Sequence, residues 1–501
     1  MFLDLTPGRL IEPLTGRVLT PPEIASRVAA RGARYVRGGL GAGERVFLHF
    51  GNTAEFLTEV LAVWSAGGSV VPIDPRFTAF ELRTLAEWAR PRFSVWRGTP
   101  DAELRDAMAS TGAELLDVDE EPGPASSPAR GDIHLDRDAI ILFTSGTTGQ
   151  PKGVVHTHRS LRARWMGLRQ SIGLGGFDRT LCLLPTHFGH GLICNCLYPW
   201  LSGRDLFLAP PFKPDLLADL GKVIDEHQIT FLSSVPAVWR LALRLAKPPG
   251  LGSLQRVFIG SAPLTAQLWN GVRDWARTRQ VLNAYGITET GSWLAGTTIP
   301  EFEPEDGLVG VPWGGVTRVL RSNAPEAVRD PSFECAPGDS GHVWVQTPAL
   351  MRGYLDRDDL TAQVVSAGWF LTGDIGMIDD RGVLYLRGRE REEINKGGMK
   401  VHPADVDSVV ERFAGTLEVC CFGYADRLLG EEVGIAVVLG EGASLDDLLA
   451  WTRRHLAEHQ VPQRWYLLEE IPRTSRGKVN RTSVAEQCAS LQAADVRRGG
   501  R

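Results

Sequence analysis

The chain has 501 residues, of which 43% are hydrophobic and 23% charged, and its net charge is −6 at pH 7. This length can supply a large core and more than one domain. The slight acidity argues against a nucleic-acid partner, which would require a strongly basic face. Seven cysteines without regular spacing predict reduced thiols. Asp4 stands too early for a signal peptide and no apolar run could span a membrane, so we expect a cytoplasmic protein.

Short apolar runs alternate with helical patterns through roughly the first 380 residues. Residues 45–50 precede a helical pattern at 53–66, and residues 69–73 precede another at 78–88. Such alternation predicts βαβ units and parallel sheets. Between residues 307 and 388 the runs are shorter and are separated by Gly, Asp and Pro, which predicts antiparallel strands.

A glycine- and hydroxyl-rich segment follows the apolar run at 139–143. Residues 144–153 read Thr-Ser-Gly-Thr-Thr-Gly-Gln-Pro-Lys-Gly. Glycines let backbone N–H groups approach an anion, while the hydroxyls and Lys152 add donors and positive charge. The spacing is not that of a Walker P-loop. A plain surface loop can have this composition, but the preceding strand and a predicted helix at 160–170 favour a phosphate-binding loop.

Three later segments accompany this loop. Residues 285–290 read Tyr-Gly-Ile-Thr-Glu-Thr, residues 368–374 read Gly-Trp-Phe-Leu-Thr-Gly-Asp, and residues 472–478 read Pro-Arg-Thr-Ser-Arg-Gly-Lys. In this order, the four segments closely resemble the phosphate, adenine and metal, ribose, and catalytic-lysine signatures of the adenylate-forming (ANL) superfamily. That superfamily includes acyl- and aryl-CoA synthetases, stand-alone adenylation enzymes and luciferases.

The resemblance implies an α/β fold, α+β overall, with two domains. A large N-terminal adenylation domain (1–388) would contain two βαβ-type sheets and a small barrel, and a small mobile α+β lid domain would span 394–485. The hinge would lie at 389–393 with Glu392 as its pivot, although the charged run there would read as a solvated turn on its own. Residues 486–501 are expected to form a flexible tail.

The resemblance also implies a nucleotide-binding set. Tyr285 would stack on adenine, Asp374 would accept hydrogen bonds from both ribose hydroxyls, and Arg389 would add a ribose or phosphate contact. Tyr285 as a core aromatic and Asp374 as a turn residue are the alternatives. The full set is Thr144, Ser145, Gly146, Thr147, Thr148, Gly149, Lys152, Gly260, Ser261, Ala262, Ala284, Tyr285, Gly286, Asp374 and Arg389.

Three residues are implied in catalysis. Glu289 would hold Mg²⁺ and Thr288 would touch the α-phosphate of ATP. Lys478 would bring its ammonium between the substrate carboxylate and that phosphate when the lid closes. On their own, a glutamate or a lysine in a polar loop would be surface charges.

The acyl pocket is implied by a further set: His187, Phe188, His190 and Trp293. No Asp occurs in residues 184–191, which disfavours an α-amino acid substrate, and an aromatic or polar-substituted acid would suit the side chains. Structural roles are equally open for both histidines and for Trp293. A zinc site formed by His187, His190, Cys194 and Cys196 is a further alternative.

Gly397 and Gly398 are implied in access of a thiol, since paired glycines would let a pantetheine arm pass close to the backbone. Several relatives have lysine directly after the isoleucine, whereas here Asn395 precedes Lys396, so the residue that assists thiol transfer is left open.

The predicted function is an AMP-forming acid–thiol ligase. It would use ATP, Mg²⁺ and coenzyme A to convert a small-molecule carboxylic acid into an acyl-adenylate, with release of pyrophosphate, and then into a thioester. Transfer to the phosphopantetheine of an acyl carrier protein is the alternative, and a catalytically inactive nucleotide-binding regulator is a third hypothesis. The sequence predicts neither the acid nor the oligomeric state.

Overall fold

The computed structural model describes residues 6–120, 134–144, 152–211, 214–298, 302–396, 399–427, 429–474, 478–491 and 493–495. The α-helices are α1 (Pro21–Arg37), α2 (Ala54–Ser65), α3 (Ala79–Ala89), α4 (Ala102–Ala109), α5 (His158–Ser171), α6 (Tyr198–Trp200), α7 (Pro214–Ala218), α8 (Leu220–Glu226), α9 (Pro236–Leu245), α10 (Ala266–Ala276), α11 (Asp358–Val364), α12 (Pro403–Glu411), α13 (Leu445–His455) and α14 (Arg481–Ala489).

The strands are β1 (Leu10–Glu12), β2 (Arg17–Leu19), β3 (Arg45–Leu48), β4 (Ser69–Pro72), β5 (Phe93–Trp96), β6 (Glu114–Asp117), β7 (Asp138–Thr144), β8 (Lys152–Thr157), β9 (Arg179–Cys182), β10 (Asp205–Leu208), β11 (Phe231–Ser234), β12 (Arg256–Gly260), β13 (Val281–Ile287), β14 (Ser292–Gly296), β15 (Leu308–Pro312), β16 (Val316–Leu320), β17 (Gly341–Gln346), β18 (Gly353–Tyr354), β19 (Val365–Ser366), β20 (Trp369–Ile378), β21 (Leu384–Arg389), β22 (Ile394–Lys396), β23 (Met399–Val401), β24 (Thr416–Asp426), β25 (Gly430–Leu439), β26 (Arg464–Leu467) and β27 (Ala494–Asp495).

Two sheets with parallel cores build the larger part of the molecule. One has seven strands in the order β18-β8-β7-β4-β3-β5-β6, and its strands from β7 to β6 are parallel. The other runs β16-β17-β20-β21-β15-β14-β13-β12-β11-β9-β10-β1-β2, with β19 beside β20, and is parallel from β13 to β1. Every residue of β4, β5 and β11 is buried, as expected for parallel strands covered on both faces. The predicted βαβ-type sheets are confirmed.

The antiparallel strands predicted between residues 307 and 388 are present as β15 to β21, but the predicted small barrel is wrong. Among the described residues these strands form an open run from β16 to β15. The run does not close because β15 also pairs with β14, which continues the large sheet through β13.

A third sheet forms the C-terminal region, in the order β23-β22-β25-β26-β27 with β24 beside β25. Successive residues of β24 point to opposite faces. Cys421 therefore packs with Val406 and Val410 of α12 on one face, whereas Phe422 packs with Val484 of α14 on the other. Each face of this sheet thus has its own apolar core.

The predicted tail at 486–501 is partly wrong. Helix α14 continues to Ala489 because Val484 and Cys488 are buried against the small sheet. Strand β27 pairs with β26, with Asp495 opposite Arg464. The folded region therefore extends past residue 485, and residues 496–501 lie outside the described residues.

Strand β21 ends in the large sheet at Arg389 and β22 begins the small sheet at Ile394. The connection is a 3₁₀ turn at Glu390–Glu392, where the hinge is predicted. All seven cysteines are free thiols, as predicted. In the described part of the chain, every helix is too short or too polar to cross a bilayer.

Four buried histidines lie in the larger part of the molecule. Burial is the main cause that lowers their pKa, to about 4 for His49, His156 and His158 and to about 3 for His190. An unfolded histidine has a pKa of about 6.5. These side chains are therefore neutral in the folded protein at pH 7, and the unfolded chain binds more protons as the pH falls below 6.5.

We expect the free energy of unfolding to decrease as the pH is lowered from 6.5 to 5, where carboxylates are still largely ionised. Each such histidine contributes up to about 1.4 kcal/mol per pH unit in this window. The variant His158→Gln should reduce this pH slope in denaturant unfolding followed by tryptophan fluorescence. The exposed His455→Gln is the control, and an unchanged slope in His158→Gln would contradict the assignment.

Candidate active site

A buried carboxylate joins the adenine and ribose motifs. Asp374 on β20 lies opposite Arg389 on β21, and the Arg389 Nε atom is 2.6 Å from Asp374 Oδ1. The hydroxyl of Tyr285 donates to Asp374 Oδ2. The charge of Asp374 raises the pKa of Arg389, and burial raises that of Tyr285 well above its ordinary value. A carboxylate has about four lone-pair directions, so Asp374 can still accept a ribose hydroxyl.

The backbone of the turn Thr288–Thr290 is held through all three of its carbonyls. His156 Nε2 lies 2.7 Å from the Thr288 oxygen, so this nitrogen carries the proton. The N–H of Met351 donates to the Glu289 oxygen at 2.7 Å. Arg164 donates to the Thr290 oxygen through Nε at 3.0 Å and Nη2 at 2.8 Å. The turn is therefore fixed by its carbonyl side.

Arg164 is a buried guanidinium that the sequence analysis missed. It also donates to the Trp313 carbonyl at 2.7 Å and reaches Thr347 Oγ1 at 3.4 Å. Burial lowers its pKa to about 10. Arginine interrupts the buried stripe Leu161, Arg164 and Leu168 of α5, and this was the signal available in the sequence.

Tyr354 connects the phosphate hairpin with Glu289. Its hydroxyl donates to Glu289 Oε1 at 2.8 Å, and Lys152 Nζ lies 5.2 Å from the centre of its ring. Lys152 begins β8 opposite Thr144, at the loop end of the β7–β8 hairpin. The predicted loop residues Ser145, Gly146, Thr147, Thr148 and Gly149 lie outside the described residues.

His190 and Trp293 lie together in the predicted acyl pocket. The Nδ1 atom of His190 is 2.9 Å from Ser261 Oγ, and its Nε2 atom is 2.7 Å from Ser233 Oγ. The Trp293 ring lies 5.5 Å from the imidazole. Burial first, and then the charge of Lys478, lower the pKa of His190. The neutral ring therefore offers hydrogen bonds rather than charge, and Lys478 lies within electrostatic reach of it.

His187 points elsewhere. Its Nε2 atom lies 3.4 Å from Asp74 Oδ2, and its ring centre is 5.7 Å from that of Phe188. Burial raises the pKa of Asp74, but the hydrogen bond from Arg76 and the charge of His187 bring it below its ordinary value. The four predicted pocket residues thus divide into two pairs.

The zinc alternative is wrong. Across the part of the chain that the structure describes, no group of three His, Cys, Asp or Glu side chains could hold a metal ion. Cys194 instead accepts the N–H of Trp293 at 3.4 Å, and His190 is engaged by two serines.

The predicted glycines beside the base have a packing role. A Cβ atom on Gly260 would lie 2.1 Å from the carbonyl oxygen of Ala284, its partner on β13. One on Gly286 would lie 2.4 Å from the Ser292 oxygen. Any side chain at Gly260 or Gly286 would clash with the neighbouring strand, so only glycine fits at these positions. Ser261 and Ala262 directly follow Gly260 in the chain.

In the C-terminal region, Arg481 contacts the predicted pivot: its Nε atom lies 3.1 Å from Glu392 Oε2. Lys396 is buried with Glu432, at 2.7 Å, whereas Asn395 is exposed. Gly397 and Gly398 lie outside the described residues.

The sequence profile of the AMP-binding enzyme family matches residues 15–355, and that of the AMP-binding enzyme C-terminal domain matches residues 405–478. The chain belongs to the AMP-binding enzyme family. It is 29% identical to the probable CoA ligase CCL9 of Humulus lupulus, over 92% of this chain and 90% of that one. It is also 29% identical to the oxalate–CoA ligase of Arabidopsis thaliana, over 89% of each chain. These matches confirm the adenylate-forming resemblance and the class of AMP-forming acid–thiol ligases.

Two solved structures of MatB from Rhodopseudomonas palustris are also similar to this chain. ATP-bound MatB aligns with a TM-score of 0.86 at 27% identity, covering 97% of each chain. Apo MatB aligns over the same share of each chain with a TM-score of 0.76 at 26% identity. A large N-terminal and a smaller C-terminal domain are confirmed.

We expect Arg164→Lys to lower the free energy of unfolding by about 2–4 kcal/mol, because one ammonium cannot serve the carbonyls of both Thr290 and Trp313. The KM for ATP should rise, since the Thr288–Thr290 turn loses its support. Denaturant unfolding and pyrophosphate-release kinetics measure the two effects. The control is Arg162→Lys, an exposed position on the same helix, and equal behaviour of the two variants would contradict this role.

Proposed function

We propose that the protein is an ATP-dependent acyl- or aryl-CoA synthetase. In the first step a carboxylate oxygen of the substrate attacks the α-phosphorus of ATP, and the bond to pyrophosphate breaks. In the second step the thiol sulfur of coenzyme A, after losing its proton, attacks the acyl carbon and AMP leaves. The observation that carries the proposal is the Asp374 carboxylate of the predicted ribose motif, which is held by Tyr285 and Arg389 in a chain whose relatives are named CoA ligases.

Lys478 acts in the first step. Its exposed ammonium neutralises negative charge that develops at the α-phosphate, and loss of such a group typically costs roughly 10²–10³-fold in rate. Asp374 and Arg389 hold the ribose, and Tyr285 fixes the Asp374 carboxylate.

Glu289 fits a magnesium ion. Its carboxylate is a hard oxygen donor, which Mg²⁺ prefers, and it is oriented by Tyr354 on a turn whose backbone is already fixed. When bound, the ion supplies charge neutralisation at the phosphates. Glu289 and Tyr354 keep their geometry through protein contacts alone.

The acceptor is proposed to be coenzyme A. The relatives carry the name CoA ligase, so the carrier-protein alternative is not favoured. Lys396 is buried and paired with Glu432, whereas Asn395 is exposed, so Asn395 is the more accessible of the two side chains. On the acid side, a neutral His190 with Trp293 and Phe188 favours an aromatic or polar-substituted acid. The cytoplasmic location stays a prediction.

The substrate class can be measured as carboxylate-dependent pyrophosphate release over aliphatic, aryl, dicarboxylic and amino acids, with and without coenzyme A. We expect release with aryl or polar-substituted acids and thioester formation with coenzyme A. Thioester formation only on a carrier protein would instead support the alternative acceptor, and release with α-amino acids alone would contradict the pocket assignment.

We expect Lys478→Ala to lower acid-dependent pyrophosphate release by roughly 10²–10³-fold. Thioester formation from a preformed acyl-adenylate should change by less than about threefold, because the phosphorus chemistry is then complete. Rapid-quench assays of both half-reactions measure this, with the exposed Lys247→Ala as control. Equal losses in the two half-reactions would refute the assignment of Lys478 to the first.

A further inference from the structure

The two domains meet at a charged contact outside the predicted active site. Helix α12 of the C-terminal domain brings Ser408, Glu411 and Arg412 to one side, since positions three and four apart are neighbours on a helix. On the N-terminal side this group meets Asp306 and Arg240. We call these five residues the α12 contact.

Asp306 uses one carboxylate oxygen within the larger domain and the other across the domain boundary. Its Oδ1 atom accepts the backbone N–H of Ala266, at the start of α10, at 2.7 Å. Its Oδ2 atom accepts from the Ser408 hydroxyl and from the Arg412 guanidinium. Burial raises the pKa of Asp306, but the Ser408, Ala266 and Arg412 hydrogen bonds bring it below its ordinary value. Asp306 therefore ties α12 to the start of α10.

Arg240 forms the second half of the contact. Its Nη2 atom lies 2.5 Å from Glu411 Oε1, with side chains that are 28% and 18% exposed. An ion pair shielded to this extent is screened less than an exposed surface pair. The contact thus fixes α12 at two points on the larger domain.

Helix α12 is in turn joined to the segment that carries Lys478. Asp407 on α12 accepts the N–H of Cys421 at 2.6 Å and lies 2.7 Å from Arg481 Nη2. Arg481 also donates to the Cys421 carbonyl at 2.7 Å and contacts the pivot residue Glu392. Arg481 follows Lys478 by three residues, so the position of α12 sets the position of the lysine.

We propose that Asp306 and Arg240 are positioning residues that dock α12 and thereby hold Lys478 in the site during adenylate formation. This inference rests on the proposed function and concerns its first half-reaction. The α12 contact opens when the lid domain turns to its second arrangement, so it favours the first half-reaction and gives no help to the second.

The test uses Arg240→Gln and Arg412→Gln in the full chain. Each should lower acid-dependent pyrophosphate release by about tenfold, because the lysine-in arrangement is less populated. Thioester formation from preformed acyl-adenylate should be unchanged or faster. The control is Arg279→Gln, which removes an exposed ion pair with Glu303 inside the larger domain.

A charge exchange separates positioning from mere stability. The variant Arg240→Glu should lose pyrophosphate release, and adding Glu411→Arg should restore it to within about threefold, because the pair is re-formed in reverse. A purely structural role would give equal losses in both half-reactions, and absence of rescue would show that the Arg240–Glu411 pair is not what the activity depends on. Either result would overturn the proposal.

Failure of the proposed function is distinguishable from failure of this inference. The unaltered protein could release no pyrophosphate with any acid. In that case the domain arrangement would be measured by small-angle X-ray scattering in the presence of a nonhydrolysable ATP analogue. Arg240→Gln should then shift the scattering profile away from that of the unaltered protein, whereas Arg279→Gln should not. Identical profiles for Arg240→Gln and the unaltered protein would overturn the inference.

Discussion

The arrangement of the C-terminal domain depends on the ion pairs of the partly buried Arg481 guanidinium. Burial lowers its pKa, but the charges of Asp407 and Glu392 raise it above its ordinary value, so the group is always charged. It joins the pivot and helix α12 to the start of α14, three residues after Lys478. Removing a charge from water is costly unless it is paired, and here that cost is offset by two carboxylates and a backbone carbonyl. The lid can therefore move as one unit.

In the larger domain, by contrast, the predicted nucleotide-binding groups are preorganised. The Thr288–Thr290 turn is fixed by His156, Met351 and Arg164, and the Asp374 carboxylate is fixed by Tyr285 and Arg389. Apart from Met351, these donors lie on strands and helices. Preorganised groups need little reorganisation when charge develops nearby, which is the main way that such sites stabilise transition states.

Much of the fold and of the candidate site could be predicted from the motifs, because each motif is a short segment that forms a local structure. Strand β7 and helix α5 lie where the sequence indicates, and Asp374 and Arg389, each predicted at the ribose, lie side by side. Arg164 and the Arg481–Glu392 pair did not follow from local patterns, since their partners are 126 and 89 residues away. The barrel was wrong for a similar reason: a strand pattern shows alternation, whereas closure depends on which distant edge pairs with which. Residues 486–489 of α14 were predicted as part of the flexible tail because the buried face of this helix is short.

The neutrality of His190 separates two roles within the site. Burial is the first cause of its low pKa and the charge of Lys478 only the second, so the imidazole is neutral whether or not the lysine is present. The large domain thus places no positively charged imidazole beside the predicted acyl pocket, and the positive charge belongs to the lid. In the proposed reaction that charge enters for attack on phosphorus and leaves with the lid before the thiol arrives. Two half-reactions can then share one pocket with different electrostatics.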